Sequence, residues 1–470
     1  MKKVCLLVWI LQIALGNILG QSIAERLKTA VALLEKDKQL RHGIIGFYVA
    51  DAKTGKAVFE KNAQVGLAPA STQKILTSAT AFELLGKQFR FKTILGYNGT
   101  IENGTLKGNL FITGSADPTL GSWRFDATKE DKILQSIVRV LKENKIQDID
   151  GSIYIDEPGF YIQPIPEGWI WQDIGNYYGA GSWGFNWREN QYDLVLRPGK
   201  KIGDTTTIIS SKNKLTDVNL INTITTANRG TGDNGYIYLA PYSTFGFTTG
   251  TIPLGDNLTI SGSMPNPPMQ FAAELEKALT KEDVSVTGGF RYSIQKFSGS
   301  QDWQKQEFAI DSILSPEFDQ INYWFLRKSI NLYGEALIKT FAYRDSGIGS
   351  TDKGIGIVKQ FWKQRHIEPA AINIIDGSGL SPQNRVTPYA LVKVLQFAKT
   401  RPWFPSFYEA LPVFNEMKIK SGSIGGARSF AGYHKSTAGK EYVFAIIVNN
   451  YDGSSAEVVN KIYKVLNILK

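Results

Sequence analysis

Three short groupings of chemically capable residues stand in order along the chain: Ser71-Thr72-Gln73-Lys74, Ser329-Ile330-Asn331 and Lys420-Ser421-Gly422-Ser423. A nucleophilic serine needs a base to take its proton. The histidines are His42, His366 and His434, and none has a recognisable triad context, so lysine is the alternative base. Residues three apart on a helix share a face, which lets the Ser71 hydroxyl and the Lys74 amine meet. Burial, and positive charge from Lys420, would favour the neutral amine of Lys74. A serine at a helix start also places its backbone N–H where negative charge is stabilised.

Ser329-Ile330-Asn331 falls between two expected helices, 316–327 and 332–343. There a hydroxyl and an amide can shuttle a proton and bind a substrate amide; an ordinary helix-linking turn is the alternative. Lys420-Ser421-Gly422-Ser423 lies on an expected strand. An edge strand can pair with an extended peptide, and Gly422 lets the backbone approach. Lys420 and Ser421 could hold a carboxylate. Two decoys share these patterns. Ser211-Lys212-Asn213-Lys214 repeats Ser-x-x-Lys, but in a polar segment expected to be a solvated turn. Lys53-Thr54-Gly55 precedes Ser71 and reads as a hairpin turn.

The positioning elements follow from periodicity. Two strands are expected within 43–60. A helix should start near Ser71, with Ile75, Leu76, Ala79, Phe82 and Leu85 on its apolar face and Gly86 just past its end. Residues 90–115 have β character, with Asn98-Gly99 and Asn103-Gly104 as hairpin turns. A helix over 129–144 and a strand over 151–156 follow. Residues 160–190 are rich in aromatics, which could line a sugar site but more commonly pack under a Gly-rich loop. Residues 203–262 suit antiparallel sheet. Ser315-Pro316 reads as a helix start. The chain should end in strands at 419–423, 432–436 and 442–448. A helix from Ser455 comes last, expected to dock on those strands rather than lie on a membrane.

At 470 residues, with 43% apolar content, the chain should form two or three domains. Lys2, Lys3 and the apolar run Val4 to Leu15 read as a secretory leader over residues 1–20. Cleavage after Gly16 or Gly20 fits, and Gly20 is preferred; an uncleaved anchor is the alternative. No later segment is long and apolar enough to span a bilayer. Cys5, the single cysteine, lies in the leader, so thiol catalysis, zinc fingers and iron–sulfur clusters are excluded by count. No metal or cofactor is expected. Loss of Lys2 and Lys3 lowers the net charge of +10 by two, to +8. That could favour anionic envelope polymers, although colloidal solubility is the simpler reading. No basic run interleaves with aromatics, which argues against nucleic acid.

The ordered set resembles that of the penicillin-recognising serine enzymes. Within them the whole mature chain resembles the D-alanyl-D-alanine carboxypeptidase/endopeptidase family of low-molecular-mass, class C penicillin-binding proteins. Ala68-Pro69-Ala70-Ser71 with Lys74, Gly108-Asn109-Leu110-Phe111 followed by Ala116-Asp117-Pro118-Thr119-Leu120, and Asp376-Gly377-Ser378-Gly379-Leu380-Ser381 with Asn384 and Thr387-Pro388 carry the likeness, as does Phe430-Ala431-Gly432-Tyr433. Ile330 departs from the usual aspartate, and Ser421 from threonine.

The resemblance implies an α/β (α+β) fold. Its transpeptidase/β-lactamase-like core would span 21–89 and 305–470, with two nested, β-rich inserted domains over 90–115 with 205–304 and over 116–204. It implies Ser71 as nucleophile and Lys74 as its base. Ser329 and Asn331 would assist proton transfer, and Lys420 and Ser421 would hold a carboxylate. The backbone N–H groups of Ser71 and Ser423, beside Gly422, would form the oxyanion hole. Peptidoglycan stem peptides and β-lactams are the implied partners, in the periplasm or cell envelope, with at most peripheral membrane contact. A β-lactamase or esterase on the same core, or a catalytically silent wall-binding scaffold, are the alternatives.

Overall fold

The computed structural model describes residues 22–212, 215–298 and 303–470. The expected leader lies outside them, as do Asn213 and Lys214 of the second Ser-x-x-Lys. The fold is mixed α/β, as expected. The chain divides into two compact units: Met1–Leu76, Arg365–Asn373 and Asn384–Lys470 form one, Thr77–Gln364 and Ile374–Gln383 the other.

The first unit is built on a six-stranded antiparallel sheet. Its order is Ala57–Lys61, Ile44–Asp51, Glu441–Asn449, Ala427–Lys435, Met417–Ile424 and Val413–Phe414. The central strand is buried from Tyr442 to Val448, which is why it reads as an unbroken apolar run. On one face Leu27, Val31 and Leu34 of the helix Ile23–Glu35 share a core with Val458, Ile462 and Val465 of the helix Ser455–Leu466. The last helix therefore spends its apolar face inside the unit. The helix Pro388–Lys399 packs on the strands Ile44–Asp51 and Glu441–Asn449. It starts as its sequence dictates, with Pro388 in the first turn and the Thr387 hydroxyl accepting from Ala390 N at 3.0 Å. The strand expected from Gly432 begins earlier, at Ala427. Gly425-Gly426 makes a two-residue reversal, with Gly426 at φ +67° and Ile424 opposite Ala427.

The second unit holds several smaller sheets. One has five strands in the order Phe290–Tyr292, Ile153–Asp156, Leu110–Thr113, Lys92–Tyr97 and Phe308–Leu314. Ile133, Ile137 and Leu141 of the helix Glu130–Glu143 and Phe271, Leu275 and Leu279 of the helix Pro267–Lys281 belong to its core. The helix Asn331–Ser346 is buried on every side from Asn331 to Ala342, and its sequence accordingly lacks a clear apolar stripe.

Three local expectations are corrected here. Asn103-Gly104 does turn the hairpin of Thr100–Glu102 and Thr105–Lys107, but Asn98-Gly99 joins strands of different sheets. The Asn98 side chain instead accepts from Asn109 N at 2.8 Å, bracing the strand ends around that hairpin. Ser315-Pro316 does not cap a helix. Its hydroxyl accepts from Phe91 N and donates to Pro316 O, and the helix begins at Phe318 behind Glu317. Ser211 and Lys212 end the strand Thr207–Lys212, paired with Leu194 and Asp193, rather than forming a turn.

Candidate active site

In the first unit, residues 70–73 form a tight 3₁₀ turn, and the helix Lys74–Leu84 begins directly after it. Lys74 Nζ donates to Ser71 Oγ at 2.9 Å. The expected i, i+3 meeting is therefore present, with Lys74 fully buried and Ser71 partly open. The residue before the serine, Ala70, has φ +47°, a left-handed conformation that costs a non-glycine residue about 1–2 kcal/mol.

Hydrogen bonds on both sides hold that conformation. The Pro69 carbonyl accepts from Thr72 Oγ1 at 2.7 Å and from Ser429 Oγ at 2.5 Å. Two residues upstream the Asn449 amide clamps Ala68, accepting from its N–H at 2.7 Å and donating to its carbonyl at 3.1 Å. Ser429 and Asn449 carry no motif, and their roles depend on contacts more than 350 positions apart in sequence. The opposition of Ser429 to Gly422 across the strand pair is the signal that locates the first of them.

Lys420, Ser421, Gly422 and Ser423 lie on the strand Met417–Ile424. Among the described residues its outer neighbour, Val413–Phe414, pairs only with Met417 and Lys418, and Ile419 N donates to Pro412 O, so residues 420–424 form an edge. Lys420 is buried, and its Nζ donates to the Ser421 carbonyl at 2.8 Å. Burial drives its pKa well below the ordinary lysine value, and repulsion from Lys74 adds to the shift. The Ser423 hydroxyl accepts from the Arg428 guanidinium. Lys53, by contrast, is exposed in a turn whose N–H groups are held by the Asp51 carboxylate. His42 and His366 are exposed.

In the second unit, Ser329 sits in the turn between the helices Phe318–Arg327 and Asn331–Ser346, with φ +58°. Asn331 opens the second helix and donates from Nδ2 to the Tyr178 carbonyl at 2.7 Å. The Asp376-Gly377-Ser378 segment is a latch within this unit. The Asp376 carboxylate accepts from Gly379 N and Ser381 N at 2.7 Å each and from Trp169 Nε1 at 2.9 Å, while Glu335 accepts from Gly377 N at 2.9 Å. Of the aromatics over 160–190, Trp169, Trp183 and Trp187 are packed inside, and Trp171 and Tyr177 are about half exposed.

Curated relatives span most of the chain. A D-alanyl-D-alanine carboxypeptidase of Actinomadura sp. is 25% identical over 94% of this chain and 84% of its own length. The D-alanyl-D-alanine carboxypeptidase DacB of Haemophilus influenzae is 23% identical over 89% of this chain and 88% of its own. A penicillin-sensitive carboxypeptidase A of Dictyostelium discoideum is 24% identical over 88% and 83%. The crystal structure of penicillin binding protein 4 from Haemophilus influenzae superposes with a TM-score of 0.77, at 21% identity, over 91% of this chain and 97% of that one, which marks a shared fold. The family model of the D-Ala-D-Ala carboxypeptidase 3 (S13) enzymes matches residues 27–467, and the chain belongs to that family.

Proposed function

We propose that the protein hydrolyses the terminal D-Ala-D-Ala bond, or the cross-link bond, of peptidoglycan stem peptides through an acyl-serine intermediate, and that β-lactams acylate the same serine. The observation that carries this reading is the 2.9 Å contact of Ser71 Oγ with the buried Lys74 amine. The names of the relatives, carboxypeptidases and one penicillin-sensitive carboxypeptidase, agree with it.

Ser71 Oγ attacks the carbonyl carbon before the scissile bond and passes its proton to neutral Lys74. The carbonyl oxygen, now negative, is met by the backbone N–H groups of Ser71 and Ser423. The bond to the leaving amine breaks as that amine takes up a proton, and Ser329 and Asn331 assist this transfer and hold the substrate amide. Water then attacks the acyl-serine, releasing the shortened peptide and returning the proton to Ser71. Lys420 and Ser421 hold the carboxylate of the leaving residue. Burial and repulsion from Lys74 lower the pKa of Lys420 and so disfavour its cation before a carboxylate arrives. Two buried lysines that repel each other share their protons unequally, and an arriving carboxylate draws the charge to Lys420 and leaves Lys74 neutral to act as base.

The leader over residues 1–20 would deliver the enzyme to the periplasm or cell envelope. The segments 90–115 with 205–304, and 116–204, would act as two nested inserted domains on the catalytic core. The test is chromatography of purified pentapeptide stems and cross-linked muropeptides after incubation with the enzyme. Release of D-alanine or of uncross-linked monomer is expected. Intact substrates, or rapid turnover of penicillin alone, would overturn the proposal.

A further inference from the structure

Arg188, Glu189 and Asn190 form a run of three left-handed residues, with φ of +53°, +52° and +51°. Non-glycine residues adopt this conformation singly, not in runs, and strain of this kind persists only where the surroundings over-determine it. Each side chain of the run is anchored in a different direction. Arg188 is buried against Glu130 at 3.1 Å and Glu274 at 3.7 Å. Asn190 Nδ2 donates to the Gly181 carbonyl at 2.9 Å, and Asn190 Oδ1 accepts from Trp187 N at 2.9 Å.

Glu189 is fully buried. Its Oε1 accepts from Ser122 Oγ at 2.7 Å and from Tyr333 Oη at 2.7 Å. Arg124 Nε bridges both of its oxygens, at 2.9 and 3.1 Å. Tyr333 is in the first turn of the helix Asn331–Ser346, two residues after Asn331. At 3.6 residues per turn the two side chains leave that helix on nearly opposite sides. Asn331 bonds the Tyr178 carbonyl and Tyr333 bonds Glu189, so both restraints come from the segment 178–190. Together they fix the rotation of the first turn, directly after left-handed Ser329. Burial and the neighbouring Glu189 carboxylate hold the Tyr333 hydroxyl protonated, so it remains a donor.

We infer that Glu189 is a positioning residue for acyl transfer. Through the Tyr333 hydroxyl it sets the rotation of the helix turn that presents Ser329 and Asn331. The inference rests on the reading above in which those two residues act on the substrate.

The experiment is a double-mutant cycle on the second-order rate of acylation by a fluorescent penicillin, with melting temperature recorded for each variant. Tyr333→Phe removes only the hydroxyl, so it serves where Glu189→Gln does not fold. Tyr333→Phe should slow acylation about 10- to 100-fold, the order expected for misplacement of reacting groups. In an Asn331→Ala background the same change should cost at least about 3-fold less than it does alone, because the part of its effect that runs through Asn331 is already gone and only the part through Ser329 remains. Equal costs in both backgrounds would show a merely structural role and overturn the inference. A slow Asn331→Ala beside a normal Tyr333→Phe would overturn it while leaving the role of Asn331 intact. A normal rate for Asn331→Ala would overturn the role of Asn331 and this inference with it.

Discussion

A β-carbon on Gly422 would lie 2.9 Å from the backbone nitrogen of Ser71, and 2.5 Å from the carbonyl oxygen of Pro69. The strand that carries Lys420 and the turn that carries Ser71 are thus packed backbone against backbone. The same β-carbon would come within 2.3 Å of Ser429 Oγ, the hydroxyl that fastens Pro69. Gly422 is required by this closeness and not by its φ, since it is not among the residues of positive φ.

Gly422→Ala should therefore push the strand away from the Ser71 turn. Acylation by penicillin should fall by on the order of 10² or more, the scale of losing one oxyanion donor. Overpacking should also cost about 1–3 kcal/mol of stability. Stopped-flow acylation and thermal unfolding check the two effects, and a variant with normal acylation would place the oxyanion hole elsewhere.

The two lysines of the Lys-Ser/Thr-Gly patterns should behave oppositely. Lys420→Ala should slow acylation by on the order of 10² or more, as for loss of a group that places charge at the site. Lys53→Ala should stay near wild type, since an exposed turn substitution changes stability by less than about 0.5 kcal/mol. Measurement of both rates, with folding checked by circular dichroism, decides between them; the reverse pattern would mean that the third motif is misassigned.

Glu157 gives a pH signature for the second unit. Burial raises its pKa from 4.5 to about 7, against an opposing hydrogen bond from Phe185 N. The folded state therefore keeps a proton that the unfolded state releases. The resulting stability is fully present below pH 4.5 and is lost as pH rises through 7. Glu157→Gln removes this term. Its stability relative to wild type should rise by about 3 kcal/mol between pH 4.5 and pH 8. Denaturant unfolding of both proteins at those two pH values measures it, and a constant difference would contradict the buried, protonated carboxyl.

The pairing of Ser71 with Lys74 was legible because it is local: i, i+3 geometry needs only the helix start that the sequence announces. The strand that carries Lys420 was expected from the sequence, but its edge position depends on how little of it Val413–Phe414 covers. Ser429, Asn449 and Glu189 were illegible for the opposite reason. Their partners lie 360, 381 and up to 144 positions away, and a serine, an asparagine or a glutamate in itself signals nothing. The apparent cap at Ser315-Pro316 misled because a distant residue just before the strand Lys92–Tyr97, Phe91, claims the hydroxyl. The turn Asn98-Gly99 misled because the strand before it pairs with Leu110–Thr113, beyond the hairpin, while the strand after it pairs within that hairpin. Local geometry set the contact of Ser71 with Lys74, and long-range hydrogen bonds set the turn around it.

The central claim is that Ser71 is the acylated nucleophile. Intact-mass and peptide mass spectrometry after incubation with penicillin, on wild type beside Ser71→Ala, tests it most directly. The account predicts one penicilloyl adduct on wild type, located on the peptide containing Ser71, and none on the variant. An adduct on Ser211, or full labelling of Ser71→Ala, would contradict it.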